Sequence, residues 1–323
     1  MHVDRSREWA ILAFLALLGV VLAVFAPSFF SARNGADILI NITTITIAAT
    51  GMTAVILTGQ IDISIGAQLA ACSTAVGLLA GAGVPLGLAF VAGLGLGLAL
   101  GLINGLLVAY ARIPSIVVTL ATLTILRAVM LVVTGGSWIN LTPEFRALGA
   151  GSLLGVPNAV VFMGLILAAG TFVLSHTRWG RSLYAVGSNP AAARLAGLST
   201  ERTLLSVFVF QGLMVGLATV AFTTRFTTIE PAAGQGFEFA VITAVVLGGT
   251  NVFGGSGNLL GTFLGALLVG TISTALAFLR ISVYWVDAVQ GLFILLAVGL
   301  DALRRRGAVP RIRSARRTRK VPA

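Results

Sequence analysis

The strongest constraint on this chain is the length of its uninterrupted apolar runs. Trp9 to Ala26 and Gly87 to Ala109 contain no charged side chain. Wound as helices, runs of about 18 or more apolar residues match the thickness of a bilayer core. Only 10% of the residues are charged, against roughly a quarter in soluble domains. Such a chain cannot dress an ordinary water-facing surface, so the expectation is an all-α polytopic membrane protein with one integrated membrane domain.

Charges, Pro-Gly breaks and Asn/Ser clusters divide the apolar sequence into about ten transmembrane helices: 9–27, 38–57, 63–81, 86–109, 116–135, 158–175, 204–223, 238–250, 258–279 and 283–302. The run from Val241 to Val246 is short for a full crossing, and glycines at 248, 249, 254, 255 and 257 suggest a broken or tilted element there. Arg5 and Arg7 precede an apolar block as in a signal peptide, but the block is long and many runs follow, so it reads as an uncleaved first helix.

Orientation follows from where the bases fall, because cytoplasmic loops of membrane proteins collect Lys and Arg. With both termini cytoplasmic, ten crossings put Arg5, Arg7, Arg112, Arg178, Arg181, Arg194, Arg202 and nine tail residues inside, a total of 16. Only Arg33, Arg146, Arg225 and Arg280 fall outside, and Arg127 lies within the fifth run. The expected organisation is a cytoplasmic N-terminus at 1–8, a transmembrane domain at 9–303, a cytoplasmic loop within it at 176–203, and a basic cytoplasmic tail at 304–323.

The net charge of +11 does not make this a nucleic-acid binder, because nine bases crowd between Arg304 and Lys320, beside the last span. A juxtamembrane basic cluster suits anionic lipid. The single cysteine, Cys72, permits no intrachain disulfide. With two histidines, one cysteine and one lysine, zinc clusters are excluded by count. The sole lysine, Lys320, is followed by Val321, so there is no Gly-Lys-Ser/Thr phosphate loop, and any ATP that drives this protein is bound by another chain. No acid, base or metal set clusters along the sequence as an enzyme would need.

Four segments depart from plain lipid-spanning composition. Thr58 to Gly66 places Asp62 and Ser64 at the mouth of a span, either to cap a helix starting at Ile63 or to contact a solute. Gly180 to Leu198 contains Asn189 as an N-cap, Pro190 as first helical residue and Gly197 as a stop, predicting a two-turn helix from Pro190 to Ala196. A helix that short is unstable alone and must dock, on its own bundle or in a partner's groove. Gly234 to Asn258, followed by Gly261, Thr262 and Gly265, reads as a hinge or pathway wall, since irregular backbone at membrane depth needs protein or water around it. Gly101 to Leu123 carries Asn104, Thr119 and Thr122, suited to interhelical hydrogen bonds or to a pore. Arg127 could pair with Asp62, Glu238 or Asp287. The many glycines of the fourth run, Gly93, Gly95, Gly97, Gly101 and Gly105, fit close helix crossings.

In this order and spacing, the four segments resemble the permease subunits of ribose-type ABC sugar importers, over roughly residues 35 to 300. Gly59-Gln-Ile-Asp-Ile-Ser-Ile-Gly66, Gly187-Ser-Asn-Pro-Ala-Ala-Ala-Arg194, and Val245-Val-Leu-Gly-Gly-Thr250 with Gly254-Gly-x-Gly257 carry the likeness. Gln60, Pro190 and Ala240 depart from the family pattern.

The resemblance implies an ABC importer permease bundle in a bacterial inner membrane, paired with a second copy or a paralogue. It also implies cytoplasmic ABC ATPase subunits holding ATP and Mg, and an extracytoplasmic sugar-binding protein. No cofactor is then bound by this chain. Coupling to the ATPase would rest on Arg181, Tyr184, Gly187, Asn189, Pro190, Ala193, Arg194, Leu195 and Gly197. The path or hinge would involve Asp62, Ser64, Gly66, Asn104, Thr119, Glu238, Gly248, Gly249, Thr250, Gly254 and Gly255. The implied mechanism is alternating access for a monosaccharide or similar small polar solute. The alternative is a secondary transporter driven by an ion gradient, which would need titratable groups at mid-membrane that are sparse here.

Overall fold

A computed structural model describes residues 6–282 and 284–308. Arg5 and the part of the basic tail beyond residue 308 lie outside the described residues. Among the described residues six helices are long and apolar enough to cross a bilayer: α2 (Ala32–Leu57), α4 (Leu86–Ala109), α5 (Ser115–Thr134), α7 (Asn158–His176), α10 (Thr200–Thr223) and α12 (Leu259–Phe278). Four more carry shorter apolar stretches: α1 (Ser6–Phe25), α3 (Ile65–Gly81), α11 (Phe237–Leu247) and α13 (Tyr284–Ala308). Each of the ten expected runs falls on one of these helices. The remaining helices, α6 (Pro143–Gly149), α8 (Arg178–Ser188) and α9 (Pro190–Leu195), lie in the connections.

The centre of the bundle is α2, buried almost without break from Thr46 to Thr58. A helix apolar on every side is stable only when neighbours surround it, and α10, α11, α12 and α7 do so. The α4–α10 crossing is made by glycine. A Cβ on Gly101 would strike the Phe208 carbonyl, and one on Gly212 the Gly97 carbonyl, so the two backbones touch directly. Packing of this kind replaces the hydrophobic drive that lipid cannot supply. Gly93 meets Val76 of α3, whereas Gly95 faces open space and takes no part in a crossing.

The connections gather at two ends. At one end lie the last turn of α2, the Gly59–Ser64 segment, α8, α9 and the 251–257 turn; Gly255 N donates to Leu57 O at 2.9 Å, and Ile61 N to Ser115 Oγ at 3.3 Å. At the other, β1 (Ile139–Asn140) pairs antiparallel with β4 (Thr228–Ile229), and β2 (Ser152–Leu153) pairs with β3 (Val156–Pro157). The fold is all-helical as expected, and these two-residue strands only close the connections: short connecting segments satisfy their backbone groups on one another, and stretches so brief leave no alternating pattern in the sequence.

At 238–250, where the sequence suggests a broken or tilted element, the structure has a short helix, Phe237–Leu247, entered by turn structure. Gly77 of α3 packs against Ile139 and Ile229 of the β1–β4 pair, whereas Gly66 packs against Gly234 and Glu238. Eleven residues of helix separate these contacts, a descent of about 16 Å. The start of α11 therefore lies about halfway into a hydrocarbon core about 30 Å thick, and its 11 residues cover the remaining half. Turn structure from Pro231 to Gly236 forms the other half.

Candidate functional site

Three features carry the polar chemistry of the bundle. The first is the α8–α9 connection, in which α8 (Arg178–Ser188) occupies part of the expected 176–203 loop. Thr177 Oγ1 accepts from Gly180 N at 3.0 Å and starts α8. Leu183 and Val186 are buried, and Trp179 Nε1 donates to Ser206 Oγ at 2.7 Å, which lays α8 along α10. Together Trp179, Leu183 and Val186 are the one-sided helical spacing that could have revealed α8.

At its end α8 meets the bundle through backbone. A Cβ on Gly187 would overlap the Leu57 carbonyl and crowd the Gly255 amide, so no side chain fits there. Gly254 (φ +89°) and Gly255 (φ +82°) give the 251–257 turn the left-handed conformation that lets it reach Leu57 and Gly187. Tyr184 Oη donates to Gly257 O at 3.0 Å, and burial pushes its phenol up, which keeps it a donor. Thr250 is buried against Gly257, while Gly248 packs on the Gly261 backbone where α11 turns into α12. Gly249 adopts φ +92° in that turn.

Asn189 then caps α9, its Oδ1 accepting from Ala192 N at 3.0 Å, with Pro190 in the first turn. Gly197 (φ +82°) ends it. Ala193 faces inward, and Arg194 Nε donates to Thr200 Oγ1 at 2.8 Å while its Nη2 stands 3.8 Å from Glu201. Arg181, Asn189, Pro190 and Leu195 face outward, Leu195 being 91% exposed. Tyr184, Gly187 and Ala193 thus hold the connection on its own bundle, and the outer face of α9 is what a partner can reach.

The second feature is a buried polar network. Asp62 has no exposed surface; its Oδ1 accepts from Ser64 N at 2.9 Å and Ser64 Oγ at 2.5 Å, and its Oδ2 from Gln68 Nε2 at 3.2 Å. Asn104 of α4 donates to Ser64 Oγ at 3.0 Å and accepts from Thr122 of α5 at 2.6 Å. The network ties α3, α4 and α5 together. Asp62 holds the turn leading into α3, which begins at Ile65 rather than Ile63, and does not cap the helix itself. Thr119 is buried, with its hydroxyl 3.5 Å from Ile116 O of its own helix. Gln68, one helical turn beyond Ser64, completes the network, and its place there follows from the helical spacing rather than from any motif.

The third feature is a cavity of about 560 Å³ between α5 and residues 230–238, lined among others by Arg127, Trp138, Glu230, Gln235 and Glu238. Arg127 Nη1 donates to Ala233 O at 2.6 Å. Of its three possible acidic partners Glu238 is the one that lines the same cavity, yet among the described residues the one ion pair is Arg194–Glu201. Glu238 Oε2 is buried without a hydrogen-bond partner, directly above Gly66, where any side chain would collide with it.

A helical bundle long enough to cross a bilayer, with a short helix starting within it and a docked helical connector, is an architecture suited to a solute permease. The chain belongs to the family described as branched-chain amino acid transport system / permease component, matched over residues 34–298. It is 38% identical to the ribose import permease protein RbsC of Escherichia coli K12, over 91% of this chain and 93% of the relative. Identity to the autoinducer 2 import system permease protein LsrC of Klebsiella pneumoniae is 37%, over 98% and 93%. The ribose import permease of Bacillus subtilis is 37% identical, over 89% and 90%. No solved structure matches. This is the membrane-spanning permease subunit of an ABC importer, a multi-pass protein of the bacterial inner membrane, and not itself an enzyme.

Proposed function

We propose that this chain moves a small polyhydroxylated solute, a sugar or sugar-like molecule, across the membrane by alternating access. It works as one of two permease copies joined to ABC ATPase subunits, which hold ATP and Mg, and to an extracytoplasmic binding protein. The chain crosses the bilayer ten times, counting the dipping 230–247 segment as one, with both termini in the cytosol. The solute class is supported by the relatives named for ribose and autoinducer 2 import and by the few polar side chains, Arg127, Gln235 and Glu238 among them, set in the otherwise apolar wall of the mid-depth cavity.

The observation that carries the mechanism is the backbone junction of Gly187 with Leu57 and Gly255. Closure of the ATPase would push on the exposed face of α9. The push would pass through α8 to the end of α2 and to the turn joining α11 and α12, which move as rigid bodies. Leu195, a large apolar residue exposed on a polar connector, is the expected anchor in the ATPase groove.

Replacing Leu195 by Asp tests this. ATP-driven uptake by the assembled importer should fall at least tenfold, an anchor being worth about 2 kcal/mol or more, while the purified permease keeps its thermal transition. Uptake within twofold of the parent would remove α9 from the coupling path.

A further inference from the structure

The Arg127–Glu238 cavity is not accounted for by packing. Glu238 lies about half a bilayer deep, and ionisable groups at that depth are retained when they face a partner or water. A carboxylate with a purely structural role is normally satisfied by neighbours, yet Glu238 Oε2 is buried and unpartnered. The obvious partner does not close on it: Arg127 hydrogen-bonds the Ala233 carbonyl and leaves the rest of its five-donor fork to the cavity it lines. The wall facing Arg127 is irregular backbone, Glu230 to Gly236, which membrane depth tolerates only beside protein or a water-filled space.

We propose that this cavity is a solute-contact site of the permease itself, taking a neutral polyhydroxylated molecule whose hydroxyls replace the missing partners of Glu238 and Arg127. Glu238 accepts from hydroxyl groups, Arg127 donates to hydroxyl or ring oxygens, and Gln235 does both. Trp138 at the rim offers an aromatic face to the C–H side of a sugar ring. The volume of about 560 Å³ lies within the range of small-molecule pockets. With Glu230 and Glu238 opposite a single arginine, the lining suits an uncharged ligand better than an anion. This rests on the reading of the chain as a permease for polyhydroxylated solutes, and adds that the permease reads the solute at mid-membrane.

Two measurements test it. Gln235→Cys in intact cells should react with a membrane-impermeant methanethiosulfonate, Cys72 being buried; no reaction would overturn the aqueous cavity. Glu238→Gln, isosteric with the parent, should lower D-ribose uptake by the assembled importer at least tenfold, and Gln235→Ala, at an exposed position, should raise KM severalfold. If both variants transport with parental KM and rate, the site is refuted. Should Glu238→Gln fail to reach the membrane, the Gln235→Ala value decides. A parent importer that takes up no D-ribose refutes the ribose-like solute of the functional reading instead; the site then stands or falls on the Gln235→Cys labelling.

Discussion

Gly187→Ala is the smallest perturbation that probes the junction between the cytoplasmic connector and the bundle. The added methyl overlaps the Leu57 carbonyl and crowds Gly255 N, two atoms already joined by a 2.9 Å hydrogen bond. Both obstacles are backbone, so neither can swing aside. Relief requires α8 to lift or the 251–257 turn to retreat, a strain of about 1–3 kcal/mol typical of an overpacked site. Loss of the Gly255–Leu57 bond adds about 1 kcal/mol. Against this, alanine in place of glycine inside a helix returns about 1 kcal/mol. The net expectation is a destabilisation of about 1–3 kcal/mol. Gly164→Ala is the control, because Gly164 sits in α7 with nothing within 4 Å and should gain helix stability. Thermal unfolding of the two purified proteins in one detergent separates them: Gly187→Ala should melt several degrees below the parent and Gly164→Ala at or above it. Uptake should fall with Gly187→Ala and hold with the control. Equal melting temperatures would refute the picture of a closed backbone junction.

Two further outcomes follow from buried geometry. Asp62→Asn keeps the shape of the side chain but sets an amide against donors from Ser64 and Gln68, so a loss of about 2–4 kcal/mol is expected; chemical denaturation of the purified protein measures it, and parental stability would contradict the assigned network. Gly101→Leu forces α4 away from the Phe208 carbonyl of α10. It should prevent accumulation of folded permease in the membrane, and normal levels with normal melting would show that the crossing is looser than described.

Much of the architecture could be read from the chain alone because a bilayer dictates the length of an apolar run. The ten runs fall on ten helices, and Asn189, Pro190 and Gly197 bound α9 through local backbone chemistry that a short sequence displays. Depth was harder to read. Nothing in the 230–247 sequence says that Glu238 starts a helix halfway into the membrane, since that follows from its contact with Gly66 on another helix. The partner of Arg127 is equally hidden, because three acids are available in the sequence, whereas the fold sets Glu238 in the same cavity and gives the hydrogen bond to the Ala233 carbonyl. Helix α8 is masked in the sequence by its glycines at 180 and 187, which weaken a helical signal. In the folded chain both are close-approach points, Gly180 against the Leu174 carbonyl and Gly187 against that of Leu57.

The contact of Gly187 with Leu57 and Gly255 is made of main-chain atoms alone. Side chains at a joint act as springs, since rotamer changes soak up part of any displacement. At this joint they are few, Tyr184 on Gly257 O being one, so on the proposed coupling path a shift of α8 would be matched closely by the adjoining end of α2 and by the 251–257 turn. On the proposed path the same stiffness would work in reverse, carrying a rearrangement of α11 beside the mid-depth cavity to the surface that a motor protein would hold.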